Sequence, residues 1–152
     1  MEVLTNPCSA YKRMLALQRD KKKEAAAFVT KDGKTIVLPM EKSTQTEFDL
    51  SFPLKDAQGK NIVDLVTENG KQYVELYDWK NTPHSGSRYE IAAFVHTHPL
   101  GVPNKDPNVA SDIDLKNAAT LPGIKFFVIN DNKIVEYSAT KAAINTQTNN
   151  CK

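Results

Sequence analysis

The sequence predicts an α+β fold, in which two helices cover a mixed, mainly antiparallel sheet in a three-layer, α/β/α-like arrangement. Two pairs of apolar segments are each joined by a short polar turn, which is the pattern of a β-hairpin. A further apolar run, Ile91 to Val95, is short and continuous, as in a strand buried on both faces. The predicted order is helix, hairpin, β-rich middle, buried strand, helix and hairpin.

The first helix is predicted over Cys8 to Glu24, where apolar residues alternate with Lys, Arg, Gln and Asp at helical spacing. Ser9 is the candidate N-cap residue. A hairpin follows over residues 25–30 and 35–40, because an Asp-Gly turn separates two apolar segments and Pro39 stops the second. Glu24 therefore lies where the first strand of this hairpin begins.

The middle of the chain, residues 48–81, is predicted to be mostly β-structure with turns at two glycines. The segment IVDLV is compatible with a strand or a short helix, and QYVELYDW with a strand. Three aromatic residues are expected to pack in the core, although they could also line a groove: Tyr73, Tyr77 and Trp79. His84 lies in a turn-rich segment and is expected to be an exposed loop residue.

The last third of the chain predicts a helix, a hairpin and a tail. The helix begins near Ser111 and ends before the sequence Leu-Pro-Gly, since proline and glycine end helices. Residues 124–129 and 134–137 flank an Asn-Asp-Asn-Lys turn and form the second hairpin. Residues 139–152 are rich in Thr, Asn and Gln and are expected to form a poorly structured tail, either frayed helix or coil.

The composition is that of one globular domain. The chain has 152 residues, of which 40% are hydrophobic and 25% charged, and we expect a single domain over 1–152. The net charge is only +2, so a nucleic-acid surface is not expected. The sequence shows neither a membrane-spanning run nor a signal peptide, which predicts no membrane partner and a cytoplasmic location, or secretion if the chain is part of a longer effector.

The two cysteines, Cys8 and Cys151, lie near opposite ends of the sequence. They can form a disulfide only if the two ends meet, which is common in single domains. The sequence leaves two free thiols and a terminal disulfide equally open. No Cys-x-x-Cys pattern is present, so sulfur ligands for a metal are not expected.

Two histidines follow the buried strand at positions i and i+2. If the backbone stays extended through Thr97, His96 and His98 point to the same face of the strand and form half of a metal site. Pro99 then ends the strand. A helix starting near Ser111 would present Asp114 in its first turn, where the carboxylate could complete a His, His, Asp set for zinc with water in the fourth position.

The spacing Ser-x-x-Asp has a second interpretation. It resembles a capping box, with Ser111 as the N-cap residue and Asp114 in the place of the usual Glu or Gln. The two interpretations are compatible, because the serine hydroxyl and the aspartate carboxylate can cap the helix beside a metal. The coincidence of two neighbouring histidines with a helix-starting aspartate favours the metal site.

His96-Thr97-His98-Pro99, followed by Ser111-x-x-Asp114, resembles the H-x-H-P…S-x-x-D signature of the JAMM (JAB/MPN) metalloprotease superfamily, particularly the bacterial JAB-like domains of phage and polymorphic-toxin proteins. The resemblance implies a JAMM-type fold, zinc bound by the two histidines and the aspartate, and a serine that stabilises the oxyanion. The sequence departs from that pattern between His98 and Ser111, where 111 − 98 = 13 positions exceed the usual spacing. A longer loop costs little entropy, so this departure bears on the conformation of the loop more than on the ligands.

In the JAMM family, an upstream glutamate after the first helix acts on the zinc-bound water. Glu24 occupies that place in the order of elements and is our candidate general base, with Glu41 as the reserve. The resemblance implies a zinc-dependent peptidase or isopeptidase acting on a peptide or protein. A catalytically silent JAMM-like binding module is the alternative. An effector or toxin domain, with an immunity or carrier protein as partner, is a further expectation.

Overall fold

The computed structural model describes residues 2–40, 43–48, 50–77 and 87–151 and has an α+β architecture. The helices are α1 (Pro7–Lys21) and α2 (Asp112–Ala119). The strands in the described residues are β1 (Glu2–Leu4), β2 (Ala26–Thr30), β3 (Thr35–Val37), β4 (Leu54–Lys55), β5 (Asn61–Glu68), β6 (Lys71–Leu76), β7 (Ser87–Thr97), β8 (Lys125–Ile129), β9 (Lys133–Ser138) and β10 (Lys141–Thr148). They form one mixed, mostly antiparallel sheet.

The sheet is built around the long strand β7. Residues 87–90 of β7 pair with β6, and residues 91–97 lie between β2 and β8. The β7–β8 pair is parallel and is connected through α2, as a parallel pair requires a crossover. The carboxyl ends of β7 and β8 therefore lie side by side at one edge, which is where a ligand site is expected in such sheets.

The two helices lie on opposite faces of the sheet. Along β7, Phe94 packs with Phe28, Phe126 and Ala118 of α2, whereas the next residue, Val95, packs with Met14 and Leu15 of α1. Alternate residues of a strand point to opposite faces, so these two clusters form two separate core layers. The prediction that the apolar run of β7 is buried on both faces is confirmed.

The first helix begins slightly earlier than the sequence predicts. Asn6 is the N-cap residue, since its Oδ1 accepts a hydrogen bond from the backbone N–H of Ser9 at 3.1 Å, and Pro7 occupies the first turn. The prediction of Ser9 as N-cap is therefore wrong. The helix ends at Lys21, and Lys22 caps it in the left-handed conformation with φ 55°.

Both predicted hairpins are present, as β2–β3 and β8–β9, and IVDLV lies in strand β5 and not in a helix. The expectation of coil or frayed helix for residues 139–152 is wrong over Lys141–Thr148, which form β10 beside β9. Tyr73 and Tyr77 are half-buried. Our predictions for Glu41, Trp79 and His84 fall outside the described residues.

Cys8 and Cys151 form a disulfide, which resolves the alternatives that the sequence leaves open. The bond joins the first turn of α1 to the segment after β10, across a sequence separation of 143 residues. In the described residues, neither helix is long and apolar enough to cross a membrane.

We expect loss of this disulfide to lower the free energy of unfolding by about 2 to 5 kcal/mol, because a cross-link over a long loop restricts the unfolded chain. The double substitution Cys8→Ser, Cys151→Ser tests this by urea denaturation, with the oxidised and the dithiothreitol-reduced wild type measured in parallel. The reduced wild type should match the double variant. Equal urea midpoints for all three samples would contradict a stabilising role of the disulfide.

Candidate metal centre

The ladder between β2 and β7 brings Glu24 to the two histidines. Ala26 pairs with His96, and the backbone N–H of Thr97 donates to Ala25 O at 2.9 Å, so the antiparallel register continues past the end of β2. Continued by one more step, it places Glu24 directly opposite His98. Directly opposed residues share a face of the sheet, which explains why a glutamate distant in sequence lies beside His98.

His98 lies one residue beyond the end of β7 but keeps an extended position. Its backbone N–H donates to Ile129 O at 2.9 Å, which extends the parallel pairing with β8. The side chains of His96 and His98 consequently point to the same side. Their ring Nε2 atoms are 3.1 Å apart, as the i, i+2 spacing predicts.

Asp114 is held in place by the capping box of α2. The hydroxyl of Ser111 accepts a hydrogen bond from the backbone N–H of Asp114 at 3.2 Å, and Asp114 Oδ2 accepts one from the backbone N–H of Ser111 at 2.8 Å. The capping box predicted from Ser-x-x-Asp is therefore present. The same carboxylate that caps the helix faces both histidines.

The structure brings together four of the five residues singled out from the sequence. The candidate ligand atoms of Glu24, His96, His98 and Asp114 all lie within 4.8 Å of one another, and all four side chains are buried. Such a cluster can hold a metal ion. Ser111, the fifth residue, borders the cluster through its hydrogen bonds with Asp114.

Three of the ligand atoms form a nearly equilateral triangle. His96 Nε2 and His98 Nε2 are 3.1 Å apart, and they lie 3.2 and 3.1 Å from Asp114 Oδ2. Hydrogen bonds alone do not explain this triangle: if both nitrogens donate to the carboxylate, two N–H groups face each other. Ligands at about 2.0–2.1 Å from a tetrahedral ion are about 3.3 Å apart, which fits the triangle.

The charges of the cluster are strongly coupled. Burial raises the pKa of Glu24 to about 8, although His96 pulls it down. Burial alone would lower the pKa of His96, but Asp114 and Glu24 raise it above its ordinary value. Burial lowers the pKa of His98. For Asp114 burial acts upward, and the two imidazoles with the Ser111 N–H hold its pKa well below the usual range.

Glu24 is the unsatisfied member of the cluster. The side chain is 1% exposed, and its Oε1 has no hydrogen-bond partner within the part of the chain that the structure describes. Its other oxygen lies 3.8 Å from His98 Nε2, beyond hydrogen-bond distance. A buried carboxyl without a partner is costly, so the arrangement favours a further ligand, such as a cation with its water, beside Glu24.

Tyr137, a residue of β9, contacts the second ring nitrogen of His96 and is not indicated by any motif of the sequence. Its hydroxyl lies 3.4 Å from His96 Nδ1, and the two rings meet edge to face. A neutral His96 that presents Nε2 to a metal carries its hydrogen on Nδ1 and donates it to Tyr137, which fixes the tautomer. Alternation along the second hairpin would have marked Tyr137 as inward-facing, but it could not have shown which residue it meets.

A cleft of about 290 Å³ opens beside the cluster. Glu24, His98 and Ser111 line one part of it, and the rest is lined by Gln45, Thr46, Asp112 and most of residues 99–110. We refer to residues 99–110 as the cleft loop. The loop fills most of the thirteen-position step between His98 and Ser111, so the long spacing builds a wall of the cleft.

Three further glutamates of the described residues are not among the clustered ligands. Glu90, in β7, forms an ion pair with Lys31 at 2.5 Å, far along the strand from His96. Glu75 accepts hydrogen bonds from Tyr77 and Arg88. Glu47 is close enough for its charge to raise the pKa of Glu24, but it is not one of the clustered ligands.

Comparisons of the chain with protein-family models, with curated proteins and with solved structures found no match. Any function assigned to the chain therefore rests on the residues of the candidate centre and on the sequence motif.

We expect Ser111→Ala to destabilise the protein by about 1 kcal/mol, because α2 loses the acceptor for the Asp114 N–H. Ser111→Asn keeps a side-chain oxygen at the N-cap and should recover most of this loss. Urea denaturation of the metal-free proteins measures both effects. If the two variants lose the same amount of stability, the cap is not what Ser111 contributes.

Proposed function

We propose that this chain is a zinc-dependent peptidase or isopeptidase of the JAMM type, which hydrolyses an amide bond in a peptide or protein. The observation that carries the proposal is the buried cluster of two imidazoles and two carboxylates beside an open cleft, in which Glu24 Oε1 has no hydrogen-bond partner among the described residues. The motif resemblance and the α+β sheet with a helix after the histidine strand support the same class.

Zinc is the proposed metal because of the donor set. Catalytic zinc is typically held by three protein ligands from histidine and carboxylate side chains, with an open fourth position. His96, His98 and Asp114 would be those ligands. When bound, zinc lowers the pKa of water toward neutrality and polarises a carbonyl oxygen.

Glu24 is the proposed general base and acid. Its side chain lines the cleft and is not committed to an ion pair closer than the 3.8 Å contact with His98. The carboxylate would accept a proton from the attacking water and return it to the nitrogen of the leaving amine. Burial raises the pKa of this carboxyl in the metal-free cluster, and a cation bound beside it would favour the carboxylate form that a general base needs.

Ser111 is the proposed oxyanion donor. Its oxygen already accepts the N–H of Asp114, so the hydroxyl hydrogen remains free to donate. Ser111 also lines the cleft, where a substrate carbonyl would be placed. A hydrogen bond to the developing oxyanion lowers the barrier because it strengthens as charge builds up.

The disulfide favours an effector setting for this activity. Disulfides persist in secreted proteins and oxidising compartments and are rare in the cytosol. We therefore propose that the domain acts outside a reducing cytoplasm, as part of a secreted effector or toxin, with an immunity or carrier protein as its partner. In the alternative, a catalytically silent JAMM-like binding module, Glu24 would serve only as a further metal ligand.

We expect the metal-free protein to bind zinc at one site and to become more stable. At a free zinc concentration of one hundred times Kd, the gain is about 2.7 kcal/mol, or roughly 5 to 11 °C in Tm. Metal analysis and thermal melts of wild type measure this. His96→Ala should abolish the shift, and Glu90→Gln, at the far end of β7, should retain it. If wild type binds no zinc and its Tm does not change on zinc addition, the proposal is wrong.

We expect Glu24→Gln to lower kcat by about 10² to 10⁴, because the amide cannot accept the proton. The zinc-dependent rise in Tm should persist in this variant. Cleavage of a defined peptide library and of isopeptide-linked peptides, followed by mass spectrometry, provides the measurement. Glu90→Gln, which changes a glutamate at the far end of β7, is the matched control and should keep its activity. Zinc binding without any cleavage by wild type would support the silent binding module instead.

A further inference from the structure

Two buried asparagines behind the metal centre have no part in the mechanism proposed above. Asn130 follows β8 directly, and Asn149 follows β10; each is 1% exposed. Asparagine is rarely buried unless its amide makes several hydrogen bonds. The hydrogen-bond partners of these two side-chain amides show which segments of the chain they connect.

Asn130 uses all of its polar atoms. Its Oδ1 accepts the backbone N–H groups of Asn132 and Lys133, each at 2.8 Å, and thereby shapes the turn before β9. Its Nδ2 donates to Pro107 O at 2.9 Å and to Asn108 Oδ1 at 2.8 Å, both in the cleft loop. The turn after β8 and the cleft loop are therefore joined by one side chain.

Asn149 joins the same turn to the disulfide. Its Nδ2 donates to Asn130 O at 2.9 Å, and its backbone N–H donates to Asn132 O at 2.8 Å. Its Oδ1 accepts the N–H of Cys151 at 3.0 Å. A continuous set of hydrogen bonds thus runs from Cys151 through Asn149 and Asn130 to the cleft loop.

The C-terminal segment contacts the cleft loop a second time. The N–H of Ala110, the last residue of the loop, donates to Ala142 O in β10 at 2.9 Å. Ser111, the cap of α2, follows immediately. The C-terminal part of the cleft loop is therefore attached twice, at Pro107 and Asn108 through Asn130 and at Ala110 through β10.

We propose that Asn130 and Asn149 are positioning residues that couple the Cys8–Cys151 disulfide to the cleft loop, so that the cleft is fully formed only when the disulfide is closed. The inference rests on the proposed function in one respect only: the cleft is taken as the place where the substrate binds. The coupling itself is a property of the folded chain without substrate.

Reduction of the disulfide breaks the covalent end of this connection. With dithiothreitol, the Cys8–Cys151 S–S bond breaks and accepts two electrons from the reagent, whose two thiols become its cyclic disulfide. Their two protons end on the sulfurs of Cys8 and Cys151. Residues 149–151 then lose their covalent attachment to α1, and the hydrogen bonds of Asn149 must hold them alone.

The first experiment is amide hydrogen exchange of the purified metal-free protein, measured with the disulfide closed and after reduction. Reduction should raise the exchange rate of the non-proline residues of 102–110 by about tenfold or more, since only three hydrogen bonds of modest strength attach them to Asn130 and β10. Residues 26–37 in β2 and β3 should keep their rates. Unchanged exchange in the cleft loop after reduction would overturn the proposal.

Asn130→Asp separates the two roles of that side chain. The carboxylate still accepts from Asn132 and Lys133, but it faces the acceptor oxygens of Pro107 and Asn108, so the loop should exchange rapidly even when the disulfide is closed. Asn108→Ala removes one of these contacts and should give a smaller rise in the exchange rate of the loop.

Asp56→Ala is the matched control, because Asp56 Oδ1 caps a similar turn by accepting from Gln58 and Lys60, each at 2.9 Å.

Kinetics provide the second readout. The double variant Cys8→Ser, Cys151→Ser and the variant Asn130→Asp should raise KM several-fold more than they lower kcat, because they loosen a wall of the cleft while Glu24 stays in place. The double variant replaces reduction in this assay, since dithiothreitol chelates zinc. Equal effects of Asp56→Ala would point to general destabilisation and overturn the positioning role. If wild type cleaves nothing, the exchange experiment still decides the coupling, and only the proposed function fails.

Discussion

The register between β2 and β7 determines the candidate metal centre. Ala26 lies opposite His96, and the hydrogen bonds between Ala25 and Thr97 carry the pairing one step further. Glu24 consequently meets His98 across the ladder. A slip of one residue would turn Glu24 to the other face of the sheet, so the two core layers that fix this register also fix the centre.

Burial of this cluster is costly in the absence of a cation. Two carboxyl groups and two imidazoles share a volume from which solvent is largely excluded, and burial shifts the pKa of Glu24 and His98 toward their neutral forms. Evolution toward stability alone would replace such residues by apolar side chains. Ionisable side chains that stay buried beside a cleft despite their cost in stability are typical of a functional site.

The sequence predicted the elements whose signals are local. Asp-Gly and Asn-Asp turns marked both hairpins, and the Ser-x-x-Asp spacing marked the start of α2 and its carboxylate. It failed at Lys141–Thr148, because a polar strand at a sheet edge lacks the apolar alternation that identifies a strand. Tyr137, Asn130 and the closure of the disulfide depend on contacts across more than twenty residues, which no local pattern encodes.

The thirteen-position step between His98 and Ser111 raises a physical difficulty that the C-terminal segment resolves. Lengthening a loop beside a cleft costs little entropy, but a long loop tends to be mobile. A mobile loop orients a bound molecule poorly. Asn130 binds the loop at Pro107 and Asn108, and β10 binds it at Ala110. The polar C-terminal residues thus stabilise the loop that lengthens the motif, and the two departures from simple expectation, a long spacing and a structured tail, are parts of one arrangement.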